Sequence, residues 1–149
     1  MKKQILNSIV VVTFLGLCAI VPVNGQVHSR LKVNVPFDFN VNGKRFFAGE
    51  YVIASINPAS GQTALAFQRV ADKSSQLVFL LPMNLRGNRN DSSGVLTFNR
   101  YGSTYFLAEI RNASENFGAQ AQKSREEKSL AKQTGESKRE TVALNPIKR

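Results

Sequence analysis

Cysteine, histidine and tryptophan are scarce in this 149-residue chain, which has one Cys, one His and no Trp. Cys18 lies within an apolar segment near the amino end, so a chain cleaved after that segment forms no disulfide and no cysteine-based zinc site. A Ser-His-Asp triad would have to recruit His28, which precedes the first predicted strand. These shortages indicate a protein that is not an enzyme, and no cofactor is predicted.

Acidic residues are also few, with 10 Asp and Glu against 20 Lys and Arg. Asp38, Glu50 and Glu109 are the candidates for the paired carboxylates of general acid–base catalysis. Asp38, however, alternates with Phe37 and Phe39, whose side chains are expected in the core. Its carboxylate should therefore point outward, and no catalytic residue is assigned.

The amino-terminal segment has the three parts of a secretory signal peptide. Two lysines follow Met1, an almost wholly apolar run covers 5–21, and small residues stand at Val23 and Gly25. A transmembrane anchor is the competing interpretation, but the run is shorter than the roughly 20 residues that a span needs. The sequence predicts a signal peptide over 1–25, cleavage after Gly25 and an exported, periplasmic or extracellular protein with no transmembrane segment after cleavage.

Composition divides the remaining chain into a body over 26–118 and a basic tail over 119–149. Aromatic and β-branched residues are frequent in the body, whereas the tail has no aromatic residue. Within the tail, Ser124 and Glu127 have the spacing of a helix capping box. The pattern predicts a short helix near 124–133 and a disordered remainder that lies outside the core.

Strand and turn signals recur about every ten residues through the body. Because closely spaced sequential strands favour antiparallel pairing, the sequence predicts an all-β fold. The two open alternatives are an antiparallel β-sandwich and a small open barrel of about eight short strands, followed by a short C-terminal helix and a disordered basic tail. The predicted strands cover 30–35, 37–41, 44–47, 50–56, 63–70, 76–81, 95–101 and 104–111.

Two of the turns predict hairpins with a defined register. Asn42-Gly43 is typical of a type I′ turn, which requires positive φ at both central residues. It places Phe39 opposite Phe46, with both rings in the core.

The second hairpin surrounds Gly102-Ser103, where glycine at the first position suits a type II′ turn. Its register places Arg100 opposite Tyr105. The Arg100 guanidinium is therefore expected over the Tyr105 ring, in a structural rather than a ligand-binding contact.

Several segments together resemble a family of small secreted bacterial β-domain proteins, of the type found in many copies in acidobacterial genomes. The resemblance covers most of the mature chain and implies an exported bacterial protein, but it transfers no activity, ligand or site residue. The segments that carry it are Val35-Pro36-Phe37-Asp38-Phe39, Ala48-Gly49-Glu50-Tyr51, Phe98-Asn99-Arg100-Tyr101-Gly102, Phe106-Leu107-Ala108-Glu109-Ile110 and Lys123-Ser124-Arg125-Glu126-Glu127-Lys128.

The net charge of +10 becomes +8 when Lys2 and Lys3 are removed with the signal peptide. An exported basic protein meets anionic polymers and lipid more readily than nucleic acid, for which no motif is present. The sequence therefore predicts a non-catalytic protein that binds an envelope or extracellular polymer, surface or protein partner. An anionic envelope polymer or lipid surface would contact the basic tail. The alternative is a β-barrel or sandwich carrier of a small apolar ligand.

A metal site is a further candidate at the new amino terminus. Cleavage after Gly25 leaves Gln26-Val27-His28, whose amine, two amides and imidazole would bind Cu(II) or Ni(II) in a square plane. Cyclisation of Gln26 would remove the amine, and His28 would then be only the residue before the first strand.

Overall fold

Ten strands and one helix form within residues 28–56, 63–84, 94–112 and 116–147, the part of the chain that this computed structural model describes. The strands are generally short and alternate inward apolar with outward polar residues. In chain order the elements are β1 (His28–Val35), β2 (Phe39–Val41), β3 (Lys44–Phe46), β4 (Gly49–Ile56), β5 (Thr63–Arg69), β6 (Ser75–Pro82), β7 (Gly94–Tyr101), β8 (Thr104–Asn112), β9 (Phe117–Gln120), α1 (Arg125–Thr134) and β10 (Lys138–Pro146).

Eight of these strands close into an antiparallel barrel, in the order β8-β7-β10-β1-β4-β5-β6-β9 and back to β8. The β2–β3 hairpin is additional and pairs with β8 through a short parallel contact of β2. The all-β prediction is confirmed, and the architecture is a barrel rather than a sandwich. The barrel is closed rather than open, because β9 joins β6 to β8.

Aromatic rings fill the interior, as expected for a barrel of eight strands, which has just enough room for its own side chains. The Phe39 ring centroid lies 5.0 Å from that of Phe46, 5.3 Å from Phe98 and 5.8 Å from Tyr51. Aliphatic side chains from around the barrel complete the core: Leu31, Val33, Val35, Val41, Ile53, Leu65, Val78, Leu80, Leu96, Leu107, Ile110 and Leu144.

Both predicted hairpins are confirmed with their registers. Asn42 and Gly43 have φ of 50° and 80°, as a type I′ turn requires, and Phe39 pairs with Phe46. Gly102 has φ of 60°, and the strands beside it pair in the predicted register. Local turn chemistry therefore fixes these two units.

The prediction of a disordered tail outside the core is wrong. β10 lies between β1 and β7 and closes the barrel wall, and its Leu144 is 5% exposed. β9 also crosses the boundary predicted after residue 118. A largely polar sequence can form β10 because its two neighbours supply backbone hydrogen bonds. Among the described side chains of the strand, Val142 and Leu144 add apolar contacts to the core.

The predicted helix is confirmed as α1. The Ser124 hydroxyl accepts a hydrogen bond from the Glu127 amide over 3.1 Å, as an N-cap should. Gly135, with φ of 78°, ends the helix. The Glu127 carboxylate turns to the barrel and accepts from the Asn99 amide group over 2.9 Å.

Candidate functional site

The outward face of α1 is basic. Arg125, Lys128 and Lys132 follow one another at intervals of three and four residues, so they share one side of the helix. All three are exposed, whereas Glu127 on the opposite side is buried against the barrel. None of the three cations forms an ion pair within the described part of the chain.

Many cations of the barrel itself are, by contrast, paired with carboxylates. The pairs join Lys32 to Glu50, Arg45 to Asp38, Arg69 to Asp72, Arg100 to Glu140, and both Arg111 and Arg139 to Glu109. Of the eight described cations without an ion pair, five lie on or beside α1, where Lys123 and Lys138 flank the three helix cations. The exposed carboxylates Glu126 and Glu136 lie in the same region.

A second feature is a pocket of about 120 Å³ at the β3 end of the barrel, here named the Arg69 pocket. The rings of Phe46, Phe47, Tyr51 and Phe67 line it together with the Arg69 side chain. Phe47 is 53% exposed, so the pocket is not sealed from solvent. An arginine among four aromatic rings can hold an anionic group against an apolar wall.

The Arg69 guanidinium makes only long hydrogen bonds. Its Nη1 lies 3.5 Å from Asp72 Oδ2, and its Nη2 lies 3.4 Å from the Ala48 carbonyl. Its Nε is buried and has no partner among the described residues. Charge-assisted bonds of this kind are usually 2.7–2.9 Å long, so the donors of Arg69 are poorly satisfied.

Two other residues that line the Arg69 pocket accept hydrogen bonds from their neighbours. Asp72 accepts from the Ser74 amide over 3.0 Å and from the Ser74 hydroxyl over 2.6 Å, and these bonds, with the nearby Arg69 charge, lower the pKa of Asp72. The Phe47 carbonyl accepts from the Tyr51 hydroxyl. Burial raises the pKa of Tyr51, so this phenol stays protonated and acts as a donor at neutral pH.

Strand β6, which contributes Gln76 to the Arg69 pocket, has exposed apolar side chains and, in the described part of the chain, a free backbone edge. Leu77 and Phe79 on the outer side of β6 are 39% and 50% exposed. The backbone edge there has no strand partner among the described residues. Side chains from the hairpin occupy it instead: Asn42 donates to the Phe79 carbonyl over 2.6 Å, and Lys44 donates to the Leu77 carbonyl over 3.3 Å.

The three candidate carboxylates each have a cation of their own. Asp38 points outward as predicted, with a side chain 41% exposed and bonded to Arg45 and to the Ala48 amide. Glu50 pairs with Lys32 on β1 and Glu109 with two arginines on β8 and β10, as given above.

The predicted contact between Arg100 and Tyr105 is confirmed, with the guanidinium carbon 5.4 Å from the ring centroid. Arg100 also contacts Glu140 over 3.3 Å, a partner on β10 that the hairpin register alone does not reveal.

His28 is the first residue of β1 and stands opposite Ser55. Gln26 and Val27 lie outside the described residues, as does the predicted signal peptide over 1–25, so the copper or nickel site remains a prediction. Among the residues that the structure does describe, no group of three or more His, Cys, Asp or Glu side chains is arranged to hold a metal. In the same residues, no helix combines the length and apolar character of a membrane span.

Comparisons with protein-family models, with curated proteins and with solved structures find no match for this chain. The site description therefore depends on the residues themselves. Sequence reasoning missed the Arg69 pocket, because Arg69 falls within the predicted strand 63–70 and reads there as an ordinary surface residue. No local pattern signals the pocket, because its lining residues lie on separate strands and turns.

Proposed function

We propose that this protein is an exported, non-catalytic binding protein that attaches to an anionic envelope or extracellular polymer through the outward face of α1. The observation that carries the proposal is the row of three cations, Arg125, Lys128 and Lys132, which have no ion-pair partner among the described residues and lie on a helix whose opposite side is fixed to the barrel.

The attachment of α1 supports this role because it holds the cations in place. Glu127 is tied to Asn99 on β7, and the Lys123 ammonium lies 3.5 Å from the Tyr101 hydroxyl. From Arg125 to Lys132 the helix rises about 10 Å, so one face presents several charges to successive anionic groups of a polymer. A surface that is ordered before binding loses less conformational entropy on binding than a flexible tail would.

The carrier alternative has less support. Phe39 contacts both Phe46 and Phe98 in the described part of the barrel interior, and all three rings are buried. An apolar ligand inside the barrel would have to displace these rings, at the cost of their packing.

Export is tested by the mass of the protein isolated from its own host. The pattern of a basic start, an apolar run and small residues before the cut predicts a mature chain that begins at Gln26. Full-length protein in the membrane fraction would contradict export by a cleaved signal.

Polymer binding is tested with polygalacturonate as the anionic probe and dextran as the neutral one. A triple variant, Arg125→Gln, Lys128→Gln and Lys132→Gln, should bind polygalacturonate about tenfold more weakly at low salt. This estimate assumes roughly 0.5 kcal/mol per exposed charge contact. Binding of the unchanged protein should weaken as salt screens the charges.

The matched control is a second triple variant with the same loss of charge at exposed positions elsewhere, with glutamine at Arg30, Lys44 and Lys73. It should bind more tightly than the helix variant. Equal losses in the two variants would mean that net charge alone drives adsorption, and unchanged binding in the helix variant would exclude α1 as the contact.

A further inference from the structure

We propose that the Arg69 pocket binds the carboxylate end of a small organic acid, with Arg69 as the anion-binding residue and the surrounding rings holding a short apolar chain. This inference concerns a different surface from the basic face of α1 and does not depend on polymer binding.

The first argument is the unpartnered donor. The Nε of Arg69 is buried without a hydrogen-bond partner among the described residues, and the two Nη contacts are 3.4 and 3.5 Å long. A buried, unsatisfied donor of a charged group costs free energy, and most such groups in native proteins have a partner. A carboxylate that entered the pocket would give Nη1 and Nη2 short, charge-assisted hydrogen bonds in place of these two long contacts.

The second argument is that the protein's own acceptors hold Arg69 loosely. Both Ser74 hydrogen bonds fall on Asp72 Oδ1, and Asp72 Oδ2 lies 3.5 Å from Nη1 while the Ala48 carbonyl lies 3.4 Å from Nη2. The guanidinium is therefore positioned by weak contacts and by the Phe47 ring, whose centroid lies 5.8 Å from its central carbon. This arrangement leaves the Nη donors of Arg69 available to a ligand.

The third argument selects the class of anion. The Asp72 carboxylate oxygen lies 3.5 Å from Nη1, so a dianion such as phosphate would meet stronger like-charge repulsion than a monoanion. The aromatic walls favour an apolar body beside the charge. A monocarboxylate with a short hydrocarbon chain satisfies both conditions.

The fourth argument is size. A cavity of about 150 Å³ in another protein holds one benzene molecule, and the Arg69 pocket measures about 120 Å³. The pocket therefore suits an acid of up to about four carbons, or the end of a longer acid that extends past the exposed Phe47 ring.

The experiment uses the whole mature chain labelled with ¹⁵N-arginine, and it follows the Nε–H resonance of Arg69 during titration with butyrate. Butyrate should shift this resonance saturably, whereas butyramide, which has the same shape and no charge, should not. From acetate to butyrate, affinity should rise roughly fourfold for each methylene that becomes buried. Inorganic phosphate should bind more weakly than butyrate.

Two arginine variants complete the test. Arg69→Lys retains the charge but loses the planar pair of donors, and it should weaken butyrate binding about tenfold. Arg45→Lys is the matched control, because Arg45 also lies over the Phe47 ring, 5.4 Å from its centroid, but does not line the pocket. It should leave butyrate affinity unchanged.

The wild-type titration decides the question even where Arg69→Lys fails to fold. A resonance that butyrate does not shift, or one that butyramide or phosphate shifts as strongly, would overturn the proposal. Equal losses of affinity in the two arginine variants would also overturn it.

Discussion

Asn99 on β7 donates a 2.9 Å hydrogen bond to Glu127 on α1, and both side chains are buried between the helix and the outer wall of the barrel. This bond attaches the inner side of α1 to the barrel, so that the basic face on the other side points outward. A hydrogen bond to a charged, buried acceptor contributes more to stability than one at the surface.

Glu127→Ala should therefore lower the free energy of unfolding by about 1–3 kcal/mol, because it leaves the Asn99 amide group without an acceptor. Glu127→Gln retains an acceptor oxygen and should cost less. Urea unfolding measures both, and Glu126→Ala, at an exposed position on the same helix, is the control. An equal loss in Glu126→Ala and Glu127→Ala would contradict a fixed helix.

Leu144 on β10 tests whether the carboxyl-terminal strand belongs to the core. Leu144→Ala should destabilise the protein by about 2–5 kcal/mol, as truncation of a buried leucine usually does. Ala143→Ser, at the neighbouring exposed position, should change stability by less than about 0.5 kcal/mol. A chain that ends at Gly135 should lose its cooperative thermal transition, and an unchanged melting temperature in that chain would exclude β10 from the barrel.

Two adjacent residues of the type I′ turn contribute to stability in different ways: Gly43 through its positive φ and Asn42 through a side-chain hydrogen bond. A side chain at Gly43 would meet no atom within 4 Å, so Gly43→Ala tests only the positive φ of 80° and should cost about 1 kcal/mol. Asn42→Gly accommodates the positive φ but removes the hydrogen bond to the Phe79 carbonyl, and it should also cost about 1 kcal/mol. Thermal unfolding measures both, and two neutral substitutions would show that neither the turn nor this bond contributes.

Acid stability should depend on Asp38 and Asp72. The Ala48 amide and the Arg45 guanidinium lower the pKa of Asp38, and the two bonds from Ser74 lower that of Asp72. A carboxyl whose pKa is lower in the folded than in the unfolded chain stabilises the fold above its unfolded pKa, and this contribution disappears as pH falls through the folded value. The melting temperature should therefore fall as the pH is lowered below about 4.

Asp38→Asn provides the test. The variant should be less stable than the unchanged protein at pH 6, and the difference should become smaller by pH 2.5, because Asp38 loses its charge as the pH falls towards its lowered pKa. A difference in melting temperature that stays constant between these two pH values would contradict the assigned cause.

The hairpins could be predicted from the sequence because their information is local. Asn42-Gly43 and Gly102-Ser103 admit few other backbone conformations, and the two-residue turns then set which residues face one another. The local sequence also predicted α1, because Ser124 and Gly135 are typical residues for the two ends of a helix.

The remaining features depend on distant partners. Among the described side chains of β10, Val142 and Leu144 pack against or within the core, so the sequence of this strand gives a weak strand signal. The strand forms by joining the edges of β1 and β7. The Arg69 pocket brings together rings from three different strands or their ends, and no spacing in the sequence reveals that Phe46, Tyr51 and Phe67 surround one arginine. Glu140 as a partner of Arg100 was hidden for the same reason.

The position of β10 between β1 and β7 has a consequence for the order of events during synthesis. Leu31 on β1 pairs with Pro146 on β10. The edge of β1 that faces β10 therefore has its native partner only after residue 146 has been synthesised. Until residues 138–146 have been synthesised, the nascent chain lacks the strand that lies between β1 and β7. Native contacts between residues so far apart in the sequence also form slowly. The native barrel therefore closes only after residues 138–146 are available to pair with β1 and β7.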